Sequence, residues 1–438
     1  MDQALQTKIA SKVISRVGTL LGVAYMMSAI DRYNVSVAAL TMNQDLALTA
    51  SGFGLGVSAF FWGYVAFQIP GNLALQKLGA RLWLGAIIVV WGAITSLMAL
   101  VHDQASFVGA RILLGVAEAG FLPGVLVVAA LWTPESHRGR FVGVVSAWGV
   151  SATVIGPPIA ATLMLLDGVL GVPGWRWLFL LEGLPAIVIG VLVWVILADR
   201  PAEAKWLSDE EKATLQARLV AEARGRSTAK FRFKDLVAPP VVMLTVIYFL
   251  VECGAFTLAF WLPLVFKGMG LSNVGASYAS AVPGACGCIV MVLWARSSDL
   301  RHDRFWHLLL PIALSGMGFV VAGLLFHVPV VAFVGLCLAL AGVVASHPVL
   351  WTLPPRIMPP ASLAVGVAMI NSIGTSAGIF APQLVGVLKD ATGDYRAPLL
   401  VMAVPLFLAA GLAASLRPRR PDAGEFDTSE DIGAPAAR

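Results

Sequence analysis

Six ionisable residues fall inside apolar stretches of this chain: Asp31 and Arg32, Arg111 and Glu118, Glu182, and Glu252. A charge at the centre of a membrane helix costs about 2.5–3.5 kcal/mol on insertion scales, so each needs a partner or a water-filled cavity. Arg111 and Glu118 lie seven apart, so on one helix they share a face at roughly 10 Å along the axis. An anion fits between such groups. Asp31, Arg32, Arg111 and Glu118 make a formally neutral set, in which ionised carboxylates hold the guanidiniums. Protonating a carboxylate would release a guanidinium for an anionic ligand, which couples proton to cargo. The competing reading of the same four residues is an ion-pair network that packs helices.

The other polar residues carry two readings each. Glu252 lies about 18 Å from the start of its apolar run, with no partner that spacing identifies. It reads either as a second proton site or as a group facing a polar cavity. Glu182 follows Arg176 by two turns, and the expectation is a pair with Arg176 near one membrane surface. Tyr64 and Asn371 fall at mid-depth, where they bond either a ligand or a neighbouring helix. His347, directly before Pro348, and Trp351 are candidates for lining a cavity. Cys253, Cys286, Cys288 and Cys337 lack the spacing of a metal site. No HExxH, GxSxG or GxxxxGK[ST] occurs, so neither proteolysis nor ATP-driven pumping has residues to carry it. No metal, cofactor or nucleic-acid partner is expected, and the chain is not expected to be an enzyme.

The elements that must position these residues follow from composition. Of 438 residues 58% are hydrophobic and only 13% charged, and the mean hydropathy is +0.83. A soluble domain carries about 25% charged residues, so a soluble enzyme is excluded. Apolar windows near 17–39, 52–75, 82–101, 105–129, 139–165 and 176–198, then 239–266, 273–297, 305–326, 329–353, 362–388 and 397–416, are long enough to span a bilayer. They predict an all-α integral membrane protein of twelve transmembrane helices in two pseudo-symmetric six-helix bundles.

The expected domains are residues 1–198, a linker 199–237, a second bundle 238–416, and a disordered tail 417–438 with an acidic stretch from Asp422 to Asp431. Ser208-Asp209-Glu210-Glu211 is a capping box that opens a charged linker helix toward Arg224. Lys8, Lys12 and Arg16, with Leu5, Ile9 and Val13 at helical spacing, predict a short amphipathic helix along the membrane surface. Gly156-Pro157-Pro158 is expected to kink the fifth span, and Gly120 to Gly124 to mark close helix contact. Of the 30 Lys and Arg, only Arg176, Lys267, Lys389 and Arg396 fall on the side opposite the termini and central loop, with Arg32 and Arg111 inside. That bias predicts cytoplasmic termini in a cell inner membrane. Gly71 to Arg81 and Ala295 to Arg304 echo one another, a repeat typical of secondary transporters.

Asp31-Arg32-Tyr33-Asn34, Phe67-Gln68-Ile69-Pro70-Gly71-Asn72, Gly79-Ala80-Arg81, Arg111-Ile112-Leu113-Leu114-Gly115 through Glu118-Ala119-Gly120-Phe121-Leu122-Pro123-Gly124, and Gly174-Trp175-Arg176-Trp177 through Glu182-Gly183 resemble the anion:cation symporter family of the major facilitator superfamily. Phe260-Trp261-Leu262-Pro263, Trp351-Thr352-Leu353-Pro354 and Ile370-Asn371-Ser372-Ile373-Gly374 extend the resemblance over nearly the whole chain. It implies the major facilitator fold and proton-driven uptake of organic carboxylates, as in permeases for 4-hydroxyphenylacetate, phthalate, tartrate and galactonate. It also implies coupling and carboxylate binding at Asp31, Arg32, Arg111 and Glu118, assisted by Tyr64 and Asn371. Sugar-acid members place a Gln in the fifth helix where Ala147-Trp148-Gly149 stands here, which favours an aromatic or short monocarboxylate.

The expected function is therefore symport of an organic carboxylate with protons by a functional monomer. Arg32, Arg111, Tyr64, Asn371 and Trp351 would bind substrate, Asp31 and Glu118 would carry protons, and Glu252 and His347 are further candidates. The rivals are anion exchange, which needs no titrating acid, and a non-transporting sensor, for which the linker and tail are too small.

Overall fold

The computed structural model describes residues 3–224 and 232–415 and is almost wholly helical. Twelve helices are long and apolar enough to cross a membrane. They are α1 (Leu5–Asp45), α2 (Ala50–Leu78), α3 (Ala80–Leu100), α4 (Gln104–Trp132), α5 (Glu135–Met164), α6 (Gly174–Ile196), α7 (Pro239–Gly268), α8 (Asn273–Arg301), α9 (Phe305–Leu324), α10 (Pro329–Leu350), α11 (Pro360–Thr392) and α12 (Arg396–Ser415). Each overlaps an apolar window read from the sequence. The expected tail, 417–438, lies outside the described residues.

Helix pairing shows the internal repeat. Within the first six, α1 packs on α5, α2 on α4, and α3 on α6; within the last six, α7 packs on α11, α8 on α10, and α9 on α12. Each second pair is the first with six added. The contacts between the halves obey the same rule, because α2 meets α11 and α5 meets α8, while α1 meets α7. The fold is therefore two pseudo-symmetric six-helix bundles. Small residues allow the close approach: Gly63 and Gly115, where α2 and α4 touch, leave no room for a Cβ against the backbone of the partner helix. Leu, Val and Ile side chains cover the outer surface, as Ile69, Val195, Val292 and Val330 do, which suits a lipid solvent.

The N-terminal stretch corrects one expectation. Instead of a separate surface helix, Gln3–Val13 continues through a π-helical turn at Ile14–Gly18 into α1. Ile9, Ala10 and Val13 are buried against protein, and Lys12 Nζ pairs with Glu211 Oε2 at 2.7 Å. Two of the charges that interrupt the apolar window meet the linker, since Arg16 also lies over the Trp206 ring at 5.5 Å.

That linker carries the capped helix Asp209–Arg224. Ser208 N–H donates to Glu211 Oε2 at 2.9 Å and Glu211 N–H to Ser208 Oγ at 3.2 Å, both halves of the capping box. Trp206 stacks on Trp132 at 5.6 Å, which fixes the linker to the first bundle.

The ends of the two bundles differ. At the end nearer the termini, each half pins its echo loop with an arginine: Arg81 Nε donates to the Trp194 carbonyl at 2.7 Å, and Arg304 pairs with Asp299 at 2.5 Å. Gly79 has φ +84°, which favours glycine, and the Asp199 carboxylate fills the space beside it. At the opposite end the bundles are tied to each other. Asp390 on α11 accepts from the N–H groups of Ala50 (3.0 Å) and Ser51 (2.8 Å) at the start of α2. Lys267 on α7 donates to the Leu40 carbonyl on α1 at 2.7 Å.

Candidate functional site

The first bundle gathers its charges around one aromatic ring. Arg32 on α1 and Arg111 on α4 place their guanidinium carbons 5.1 and 5.0 Å from the centre of the Phe60 ring on α2. Arg32 also lies 5.1 Å from the Tyr64 ring, one turn further along α2. The similar depth inferred by counting residues is thus realised on a shared cation–π platform. Glu118 Oε2 accepts from Arg32 Nη2 at 2.7 Å and from Ser28 Oγ at 2.8 Å. Arg111 is fully buried, and none of its three guanidinium nitrogens has a hydrogen-bond acceptor in the protein. Buried guanidinium groups are normally saturated, and Arg111 departs from that rule.

Asp31 does not join that set. It is buried on α1, yet neither carboxylate oxygen bonds to an arginine. The neutral quartet expected from the sequence is therefore an Arg32–Glu118 pair with Arg111 beside it, and Asp31 stands apart because its helix position turns it toward α6. Glu182 corrects a second expectation. Its Oε2 accepts from Asn34 Nδ2 on α1 at 2.7 Å, whereas Arg176 lies over the Trp175 ring at 5.0 Å. The helical turn from Arg176 to Glu182 carries Glu182 to the inside of the bundle, where an amide from the neighbouring helix meets it.

Between the bundles lies a cavity of about 380 Å³. From the first half, Tyr25, Arg32, Tyr33, Asn34 and Thr153 line it; from the second, Phe256, Glu252 and His347 do. Glu252 does have a partner. His347 Nε2 and Glu252 Oε1 are 2.9 Å apart, joining α7 to α10. Tyr248 packs edge-on against His347 at 5.9 Å and against Trp351 at 5.1 Å. Pro157 and Gly156 also line the cavity, and α5 runs through Pro157 and Pro158 as one helix.

Of the residues singled out by sequence, the cavity wall holds Arg32, Glu252 and His347. Tyr64 and Trp351 lie behind it as ring contacts of Arg32 and Tyr248. Arg111, Glu118 and Asp31 are buried inside the first bundle. Asn371 is half-buried and does not line the cavity, although its neighbour Ser372 donates to Gln68 Oε1 across the bundles at 2.6 Å. Sequence reading missed Phe60, Tyr25 and Asn34. A signal existed for the first two: Phe60 precedes Tyr64 by one turn, and Tyr25 precedes Arg32 by two. Tyr25 also explains the residue that replaces the sugar-acid glutamine, because its ring packs directly on Gly149.

A two-bundle helical membrane protein with an arginine on the wall of a central cavity has the form of a solute transporter. The family model described as Major Facilitator Superfamily matches residues 21–382, and the chain belongs to that superfamily. It is 38% identical to a protein named "Putative tartrate transporter" from Agrobacterium vitis, over 97% of this chain and 95% of that one. It is 37% identical to a quinolone resistance transporter of Acinetobacter baumannii, over 88% and 89% of the two chains. Among solved structures, a bacterial homologue of the human lysosomal transporter Spinster, in an inward-facing and unoccupied conformation, superposes with a TM-score of 0.76 at 17% identity, covering 95% of this chain and 97% of that one. These relatives accord with the anion:cation symporter resemblance. The chain is a multi-pass membrane transporter.

Proposed function

We propose that this transporter imports an organic carboxylate together with protons across the inner membrane, acting as a monomer by rocking its two bundles about the central cavity. The observation that carries the reading is the arrangement of Glu118: one carboxylate oxygen holds Arg32 at 2.7 Å, while Arg111 lies across the Phe60 ring with no acceptor. While ionised, Glu118 occupies Arg32. Once protonated it gives up the charge-assisted bond, and Arg32, on the cavity wall, turns to an incoming carboxylate with Arg111 behind it. The planar guanidinium fork suits a carboxylate better than an ammonium does. Release of cargo lets Glu118 reclaim Arg32 and lose its proton.

With cytoplasmic termini, the ties at Asp390 and Lys267 lie on the outer side, so the cavity faces inward. The tyrosines at the wall and the Gly149 surface under Tyr25 favour a short or aromatic carboxylate, and the name of the Agrobacterium vitis relative makes tartrate the first candidate. Exchange of one anion for another without protons is the competing mode of the same site. Purified protein in liposomes, offered radiolabelled tartrate, phthalate and 4-hydroxyphenylacetate with and without an imposed pH gradient, tests the reading. Uphill accumulation on the alkaline side supports it. Accumulation that depends only on a trans anion, or that runs toward the acidic side, overturns it.

A further inference from the structure

The second bundle contributes one carboxyl to the cavity, and it is not free. Glu252 on α7 and His347 on α10 share a hydrogen bond of 2.9 Å at the wall. The Glu252 side chain is 9% exposed and that of His347 25%. Glu252 also hydrogen-bonds Tyr248 one turn earlier on α7, and water in the cavity reaches the pair through the histidine. The charged and titratable groups around it are few: Tyr248 and Cys253 on α7, Tyr25, Arg32 and Tyr33 on α1, and Cys288 on α8. Arg32 is the cation among them, and it is already bonded to Glu118. No lysine or arginine of the second bundle lines the cavity. Among the described residues, the membrane-embedded set holds four carboxyls, Asp31, Glu118, Glu182 and Glu252, against two guanidiniums. Of these groups only Arg32 and Glu252 line the cavity, so an entering anion meets one guanidinium and one carboxyl at its wall.

Each protonation state of the pair has a definite charge. With Glu252 ionised and the imidazole neutral, the wall is negative and repels an anion. With one proton held on the imidazole, the pair is a neutral ion pair. With a second proton on Glu252, the imidazolium presents a positive edge to the cavity, opposite Arg32. We propose that Glu252 and His347 form a second proton-binding site, in the second bundle and separate from Glu118, that is loaded together with the anion. The inference rests on the proton-coupled reading and adds one proton to its stoichiometry. The donated proton comes from water in the cavity to the imidazole Nδ1 edge or to the carboxyl oxygen not bonded to the ring, and returns there when the anion leaves.

The test is the static-head accumulation of radiolabelled tartrate in proteoliposomes with the membrane potential clamped to zero. At that limit one coupled proton yields about tenfold accumulation per pH unit of gradient and two yield about a hundredfold. The ratio does not depend on transport rate. The wild type is expected to follow the hundredfold line and the Glu252→Gln/His347→Asn double variant the tenfold line. Equal slopes for the two overturn the inference. A Glu118→Gln variant that still accumulates as the wild type does would overturn the proton-coupled reading itself, so the two failures are distinct. A second measurement needs neither transport nor a stable double variant. In detergent, the imidazole resonance of His347, assigned by its loss in His347→Gln, should respond to pH and should change in Glu252→Gln. A resonance that fails to titrate, or that ignores Glu252→Gln, overturns the proposal.

Discussion

The two bundles repeat one another helix for helix, yet they hold charge in opposite ways. The first buries Asp31, Arg111, Glu118 and Glu182 among its own helices and sends Arg32 from that set to the cavity wall. The second brings one carboxyl to the cavity, tied to a histidine. Shared geometry can come from a shared scaffold, since the pairs α2–α11 and α5–α8 are the same contact seen from each half. Shared chemistry cannot. The symmetric part sets the axis about which the bundles rock, and the asymmetric part decides what is recognised and at which wall.

The comparison breaks most visibly when the first bundle loses one charge. Arg32→Met strands Glu118 without its partner, and an unpaired buried charge costs about 3–5 kcal/mol. Thermal unfolding in detergent should show a large loss for Arg32→Met and recovery of most of it in Arg32→Met/Glu118→Gln. A double variant as unstable as the single one would mean that the pair is not what destabilises. Arg111 is the next lever. Arg111→Lys keeps the charge but loses the fork, and equilibrium binding of tartrate should weaken by about 1.5–3 kcal/mol while the fold persists. Unchanged affinity would move the anion site to the Glu252–His347 wall.

Smaller effects test the scaffold. Asp390 caps the first turn of α2 from the opposite bundle, and loss of such a cap costs about 1 kcal/mol. Asp390→Ala should therefore shift the balance toward the state open at that end, roughly fivefold, read as faster labelling of a cysteine placed at Ala255. Slower labelling would show that the tie does not hold that end shut.

The smallest effect lies at the linker. Hydrogen bonding from Lys12, and then from the Ser208 backbone, holds the Glu211 carboxyl below its ordinary value of 4.5. A depressed folded value means that the stabilisation is present above that ordinary value and is lost as pH falls below it. Lys12→Met should lower thermal stability at neutral pH, and the difference from wild type should vanish in acid. A difference that persists in acid would assign the loss to packing of the lysine stem.

Much of this architecture is legible in the chain because its signals are local. Each span is a run of apolar residues, and the Ser208–Glu211 box is four consecutive residues. The start of α1 was not legible, because Lys8, Lys12 and Arg16 look like a surface helix until Glu211, distant in sequence, is seen to meet Lys12. In the site, helical counting placed Arg32 and Arg111 at one depth, but depth carries no azimuth between helices. For that reason counting alone grouped Asp31 with the arginines, paired Glu182 with Arg176 instead of Asn34, and left Glu252 without His347. Phe60, the ring that both arginines share, carries no charge to mark it.

The central claim is that Glu118 exchanges Arg32 for a proton when the anion binds. Glu118→Gln in proteoliposomes tests it most directly, since glutamine keeps the shape of the neutral acid and cannot titrate. Radiolabelled tartrate should exchange against unlabelled tartrate across the membrane of this variant, while the accumulation that an imposed pH gradient drives at zero membrane potential should fall from the hundredfold line to at most the tenfold line that the Glu252–His347 pair alone sustains. Accumulation equal to that of the wild type under the same gradient would contradict the account.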